Sequence, residues 1–314
     1  RDVAEPEGGY LWDEAARKKV SFRNYGMYSD SEENPRATPE EGTPDEKTVP
    51  VKAALVNATC ESFRVYDTNY PDSEAWLKHG LEPAPKQLKT FGKFGDKART
   101  TAWRREYAAY LKSGDMPKLM LLRLGRDHTA GTAAGNYSPR AMVADNDYAV
   151  GQIVETVSHS PLWKKTAIFV LEDDAQNGYD HIDAHRSIAF VISPYIAQGS
   201  HDSRFYNTDS VLATMERLLG LDPLCLYDAT APPMTVFGAK PENDAPYTAI
   251  LPARSVIAEL NTPRTFGAAK SAQILNPLVE ESEADEELNE ILWRSVKGAH
   301  STPPERNYRL SVED

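Results

Sequence analysis

Residues 166–186 read TAIFVLEDDAQNGYDHIDAHR, and this stretch decides both the fold class and the position of the candidate site. It opens with a short apolar run, Ala167 to Leu171, which is typical of a buried strand in a parallel sheet. Acidic and histidine residues follow at once: Glu172, Asp173, Asp174, Asp180, His181, Asp183 and His185. In open α/β sheets the loops at the carboxyl ends of the strands form the ligand crevice. Since carboxylate oxygens and imidazole nitrogens are metal ligands, the stretch predicts a metal site. A solvated acidic loop is the alternative for any one of these residues taken alone.

A second strand-like run, residues 118–124, ends in the same way. It is followed by Gly125, Arg126, Asp127, His128 and Thr129. Two strands that each deliver an acid and a histidine at the same end form a pattern that suits a metal site, so Asp127 and His128 become candidate ligands.

Hydrophobic periodicity predicts the remaining elements. Apolar residues at helical spacing predict helices over about 101–113, from Ser138 to about 159, and after Asn207, and residues 187–192 predict a third strand. This alternation predicts the α/β class, with a largely parallel sheet flanked by helices in an α/β/α sandwich. We divide the chain into an irregular segment with loops (1–99), an α/β core (100–237) and an extension with one helix (238–314) that forms one domain with the core.

The sequence Asp145-Asn146-Asp147 has the spacing of calcium ligands but lies inside the long predicted helix. It has no glycine at the sixth loop position, where a calcium loop of the EF-hand type requires one. We therefore interpret it as a polar or interface face of the helix.

Composition excludes several classes of partner. The net charge of −12 argues against nucleic acid and against an anionic membrane surface. No apolar run is long enough for a transmembrane segment. Cys60 and Cys225 lie far apart and outside any metal-binding spacing, and the sequence does not decide whether they pair. Because the chain begins with Arg1 and has no signal-peptide pattern, we expect it to be a piece of a longer protein.

Several motifs in order resemble the bacterial phosphoesterase family that includes non-specific phospholipases C and related acid phosphatases, within the alkaline phosphatase superfamily. They are GRDHTAGT (125–132), EDDAQNGYDHIDAHRS (172–187), FVISPY (190–195) and YNTDSVLATMERLLGL (206–221). The resemblance covers roughly residues 117–237. It implies an alkaline phosphatase-like sandwich and a metal-dependent phosphoric ester hydrolase with a phosphorylated Ser or Thr intermediate. It also implies a small-molecule phosphoester or phospholipid substrate and a secreted or periplasmic location.

The resemblance also implies ligand positions. Asp127, with His128 beside it, matches the first ligand position, and Asp173 with Asp174 matches the later pair. His181 or His185 matches the downstream histidine. Many superfamily members have Asp-x-x-x-His at the first position, whereas here the fourth residue after Asp127 is Gly131. Because the pair has no histidine, its donors are oxygen-rich and suit Ca²⁺, Mg²⁺ or Mn²⁺ better than Zn²⁺.

The attacking group is the part of the family pattern that this chain lacks. In the family the nucleophile and the early ligands lie N-terminal to the matching segments. Thr129 is a weak candidate, since capping of the turn is the favoured role for its hydroxyl. Arg126 and Arg186 are candidates for binding a phosphate oxygen, although pairing with neighbouring acids explains them equally well.

Two functions follow from the sequence. The first is a metal-dependent phosphoric ester hydrolase, or the C-terminal portion of one, whose site is completed by an upstream domain or a second chain. The alternative is a non-catalytic, phosphoesterase-like binding or interaction module that lacks the nucleophile.

Overall fold

The computed structural model describes residues 8–28, 54–55, 57–64, 66, 68, 70–81, 96–173, 175, 178–274 and 285–307. Helices account for most of the regular structure in these ranges. They are α1 (Leu11–Arg17), α2 (Ala75–Lys78), α3 (Arg99–Ser113), α4 (Pro139–Ser158), α5 (Thr208–Leu219), α6 (Leu226–Thr230), α7 (Arg254–Ile257), α8 (Ala268–Ile274) and α9 (Asp285–Lys297).

The described strands form two pairs. They are β1 (Phe22–Tyr25), β2 (Leu119–Leu122), β3 (Ile168–Leu171) and β4 (Ala189–Ile192). β1 pairs with β2 in parallel, whereas β3 pairs with β4 antiparallel. The fold is therefore a mixture of helices and strands with a small parallel sheet, as an α/β chain requires, but a largely parallel sandwich is not confirmed.

The connection between β3 and β4 explains their antiparallel pairing. A parallel pair needs a crossover, usually a helix, that returns the chain to its starting edge. The described residues between Leu171 and Ala189 contain no helix, so the chain reverses through a polar loop instead.

Polar caps define the two helices that flank the strands of the core. The Ser138 hydroxyl accepts a hydrogen bond from the Ala141 backbone N–H, and Pro139 occupies the first turn of α4. The Asn207 side chain caps α5 in the same way, and Gly220 ends α5 with a φ of +70°. These boundaries confirm the helices predicted from periodicity.

One hydrophobic core supports both strand pairs. Its buried members lie mainly on α3, on α4 and in the segment after β1: Tyr25, Cys60, Phe63, Ala102, Trp103, Tyr107, Ile153, Val157 and Trp163. Met120 and Leu122 of β2, Ile168 of β3 and Ile192 of β4 pack against it. β2 and β3 therefore pack on the same core.

The C-terminal part is more ordered than its sequence predicts. Residues after Pro233, which lack a periodic pattern, contain α7 and α8. The side-chain amide of Asn261 donates to the backbone carbonyls of Gly131, Ala133 and Tyr137, so this region holds the loop that follows β2. No helix in the described ranges is long and apolar enough to cross a membrane. Cys60 and Cys225 are both free thiols.

Candidate functional site

The loop after β2 forms a 3₁₀ turn over Arg126–His128, and a buried carboxylate holds it in place. The Asp72 side chain, fully buried, accepts a hydrogen bond from the backbone N–H of Arg126 at 2.9 Å and a longer one from Gly125 at 3.4 Å. It also pairs with the Arg99 guanidinium at 2.7 Å. Asp72 therefore fixes the start of the turn to α3.

A second buried carboxylate, Asp145 on α4, supports the same turn. It accepts hydrogen bonds from the Ser73 hydroxyl at 2.5 Å and from the Asp72 backbone N–H at 2.8 Å. The Arg126 guanidinium lies 3.2 Å away in an ion pair. Burial raises the pKa of the Asp145 carboxyl, and the positive charge of Arg126 opposes this rise. Arg126, a candidate for phosphate binding, is thus itself buried against an acid.

Asn146, the next residue on α4, connects this network to Asp127. Its side-chain nitrogen lies 3.1 Å from Asp72 Oδ2 and 3.2 Å from Asp127 Oδ1. Residues 145–147 were interpreted as a polar or interface face of the helix. Asp145 and Asn146 contact neighbouring segments, and Asp147 is exposed, so both parts of this interpretation agree with the structure.

Asp127 lies in a negative environment. Its pKa is raised, first because protein atoms partly withdraw the carboxyl from water and then because the charges of Asp72 and Asp173 are close. The charge of an acid that follows β3 thus acts on an acid that follows β2. Asp173 and His128 are both exposed, and Asp174 lies outside the described residues.

The two downstream histidines come from a turn over residues 180–186. The Asp180 carboxylate accepts hydrogen bonds from the backbone N–H groups of Ile182 and Asp183, and it pairs with Arg186 at 2.8 Å. The His185 ring lies 2.8 Å from the Asp183 carboxylate, and His181 is exposed. Arg186, the other candidate for phosphate binding, is therefore paired with an acid of its own turn.

Thr129 has an unusual backbone conformation. Its φ of +60° and ψ of 171° belong to a region that is costly for a β-branched residue, by about 1–3 kcal/mol. Its hydroxyl is buried and accepts a hydrogen bond from the Gly131 backbone N–H at 3.1 Å. The side chain thus stabilises the turn that carries Asp127 and His128.

The donor chemistry fits a divalent cation only in part. Asp127 and Asp173 supply carboxylates whose mutual repulsion a cation would relieve. Within the described ranges, however, no group of three or more His, Cys, Asp or Glu side chains is arranged to hold a metal ion.

Asp72, Asp145 and Asn146 were not among the site residues that the sequence suggested. Asp72 lies in the segment NYPDSEAW, whose proline and polar residues resemble those of an ordinary surface turn. The only available signal was the Asp-Asn-Asp run inside a helix, and its spacing is also compatible with a surface face.

Comparison with known families decides the assignment. A sequence profile of the Phosphoesterase family matches residues 61–222, just over half of the chain. The chain belongs to the Phosphoesterase family. The resemblance inferred from the motifs is thus confirmed, and the matched part of the chain contains Asp72, the 126–128 turn and all the candidate ligands. A comparison with curated proteins finds no match.

Proposed function

We propose that this phosphoesterase is a metal-dependent phosphoric ester hydrolase, or the C-terminal portion of one, with its site at the ends of β2 and β3. The observation that carries the proposal is the family match over residues 61–222, which include Asp127 and Asp173, and the negative charge of Asp173 supports it by acting on Asp127. Two acids whose charges repel each other at the ends of separate strands are costly to maintain unless a ligand uses them.

Asp127, Asp173 and Asp174 would hold the cation, with His128 and one of His181 or His185 as further ligands. These mainly oxygen donors favour Ca²⁺, Mg²⁺ or Mn²⁺ over Zn²⁺. A bound divalent cation neutralises the charge that spreads over the phosphoryl oxygens during transfer.

The attacking group belongs to another part of the enzyme. The Thr129 hydroxyl is engaged by Gly131 and buried, which supports a structural role. An upstream domain or a second chain would supply the nucleophile. Ile188 and Phe190, beside and within β4, are each more than half exposed and offer such a partner an apolar surface.

We further propose that the substrate is a small phosphoester or a phospholipid and that the protein is exported. Both proposals come from the family resemblance. Neither rests on a pocket in the described residues.

The alternative function is a non-catalytic phosphoesterase-like module that binds a ligand or a partner. The observation that favours it is the engaged hydroxyl of Thr129, because this was the one nucleophile candidate inside the ligand motifs.

Turnover and metal content together distinguish these functions. The purified chain is assayed with p-nitrophenyl phosphate and bis-p-nitrophenyl phosphate in the presence of Mn²⁺, Mg²⁺, Ca²⁺ or Zn²⁺, and its metal content is measured. Metal-stimulated hydrolysis would support the enzyme and would mean that a nucleophile lies within this chain. We expect metal binding that weakens about 100-fold or more in Asp127→Asn and in the double variant Asp173→Asn/Asp174→Asn. Asp147→Asn, which alters an exposed acid on α4, is the matched control and should retain metal binding.

Each outcome selects one function. Equal metal content in the wild type and the double variant would refute the metal site. Metal binding that needs these acids, without turnover of either substrate even when an upstream segment or a second chain is added, would support the non-catalytic module.

A further inference from the structure

We propose that the Arg123 guanidinium binds two oxygens of the substrate's phosphate group at the carboxyl ends of β1 and β2. This inference rests on the proposed function, because it names the group that recognises the phosphoester. It requires no metal ion, since the guanidinium itself carries the positive charge and the hydrogen-bond donors.

Arg123 lies at the end of the parallel strand pair. It directly follows β2, and its backbone N–H donates to the carbonyl of Tyr25, the last residue of β1, at 2.9 Å. A Cβ built on Gly26, the residue after β1, would lie 3.4 Å from the Arg123 Cβ. In open α/β sheets, ligands bind outside the carboxyl ends of the strands. Arg123 is therefore at the edge of the sheet where a substrate is expected.

An aromatic ring holds the Arg123 side chain in place. The guanidinium carbon lies over the Tyr66 ring, 3.9 Å from its centroid. The same ring packs against the loop after β2, because a Cβ built on Gly125 would lie 2.5 Å from Tyr66 Cε2 and 3.1 Å from its hydroxyl oxygen. Tyr66 thus fixes the guanidinium relative to the loop that leads into the 126–128 turn.

This contact leaves the hydrogen-bond donors of Arg123 free for a ligand. A guanidinium that lies over a ring uses its face, whereas its N–H groups point outward around the edge. Within the part of the chain that the structure describes, the half-buried Arg123 side chain makes no hydrogen bond or ion pair. The planar edge matches two oxygens of a phosphate group and can donate to both.

Three other arginines of this region are already paired with acids. They are Arg99 with Asp72, Arg126 with Asp145, and Arg186 with Asp180. An arginine that donates to a carboxylate must give up this partner before it can bind a substrate oxygen. The acids after β2 also repel an anionic substrate, and the charge of Arg123 offsets this repulsion because no carboxylate of the described ranges neutralises it.

The electrostatic surroundings of Tyr66 agree with this arrangement. Burial raises the pKa of the Tyr66 hydroxyl, the positive charge of Arg123 opposes this rise, and the negative charge of Asp127 adds to it. Arg123 and an acid of the turn therefore act on the same hydroxyl.

The test measures the affinity of the full chain for inorganic phosphate by calorimetry, without added metal. Arg123→Met keeps an unbranched apolar side chain over Tyr66 and removes the donors, and Arg217→Met, at an exposed arginine on α5, is the matched control. We expect phosphate to bind Arg123→Met about 10-fold or more weakly, because charge-assisted hydrogen bonds are lost. Arg217→Met should match the wild type. Arg123→Lys keeps the charge without the planar edge, so its affinity should lie between those of the wild type and Arg123→Met.

Several outcomes would overturn the role of Arg123: a wild type that binds no phosphate, equal affinity in the wild type and Arg123→Met, or an equal loss in Arg217→Met. An Arg123→Lys variant that binds as tightly as the wild type would overturn the contact with two oxygens. Melting temperatures verify that the variants fold, and if Arg123→Met does not fold, Arg123→Lys compared with Arg217→Lys decides. None of these results depends on metal content or turnover, so failure of this inference is distinguishable from failure of the proposed function.

Discussion

The Asp145 carboxylate sits in a buried network and should be a major determinant of stability. We expect Asp145→Ala to lower the free energy of unfolding by about 3–5 kcal/mol, because the buried Arg126 guanidinium then loses the carboxylate that offsets its charge. Denaturant unfolding followed by circular dichroism measures the change.

Asp147→Ala is the matched control, since Asp147 is exposed on the same helix. It should change the free energy by no more than about 0.5 kcal/mol. Equal unfolding free energies for the two variants would contradict the importance of the network.

Gly125 is a position where a single methyl group should disturb the site. A Cβ at this position would lie 2.5 Å from the Tyr66 ring, and that ring packs against the Arg123 guanidinium. We expect Gly125→Ala to cost about 1–3 kcal/mol, because the ring or the loop must move. Thermal unfolding measures the cost, and Gly178→Ala, where the nearest atom is at 3.6 Å, should cost less. Equal melting temperatures for the two variants would count against the clash.

Single residues differ in how far their roles can be predicted from sequence. Asp127 and Asp173 could be proposed as ligands because each follows an apolar run almost directly, and this local pattern is visible in the chain. Asp72 and Asn146 were missed because their hydrogen bonds join residues that are far apart in the sequence. Asp72 bonds Arg126, 54 positions away, and Asn146, 74 positions away. Asn146 in turn bonds Asp127, 19 positions away. No local pattern encodes contacts at such separations.

At the level of elements, periodicity identified the long helices and three of the strands. It missed β1, whose four residues, FRNY, contain the adjacent polar residues Arg23 and Asn24 and therefore lack a continuous apolar run. It also could not supply strand direction, because the polar loop from β3 to β4 specifies neither a crossover nor a tight turn. Strand direction is set by pairing in three dimensions.

The junction between α5 and α6 contains a carboxyl pair whose protonation should make stability depend on pH. Burial and the neighbouring Asp228 raise the pKa of Glu216 from its ordinary value near 4.5 to about 7. Asp228 accepts hydrogen bonds from the backbone N–H groups of Leu224 and Cys225, so it remains the ionised partner. Between pH 4.5 and about pH 7, Glu216 keeps its proton in the folded state but releases it in the unfolded state. The free energy of unfolding therefore falls as pH rises through this range.

Glu216→Gln should remove this dependence, since glutamine donates to Asp228 at every pH. We expect the difference in melting temperature, variant minus wild type, to increase as the pH is raised from about 5 to about 8. Differential scanning calorimetry at several pH values measures it, with the exposed Glu305→Gln as control. A constant difference across this range would contradict a raised pKa for Glu216.

At the level of the whole molecule, the region after Phe237 should be required for the fold of the matched region. Glu259 accepts a hydrogen bond from the Ser138 hydroxyl at 2.6 Å, and Asn261 bonds three carbonyls of the loop after β2. We expect a chain ending at Phe237 to melt at a clearly lower temperature or to lose its cooperative transition, because those polar groups lose their partners. Calorimetry compares it with a chain ending at Asn307. Similar melting temperatures would show that residues 238–307 are dispensable for this core.

The way Asp72 joins distant segments also has a consequence for the order of folding. Its side chain bonds the Arg126 backbone N–H, Arg99 and Asn146 across separations of 54, 27 and 74 residues. Closing such loops costs entropy before any contact repays it, so the 126–128 turn should be among the last parts of the chain to form. In pulse-labelling hydrogen exchange during refolding, the Arg126 amide should become protected later than the amides inside α4. If the two become protected together, the turn would be part of the folding nucleus.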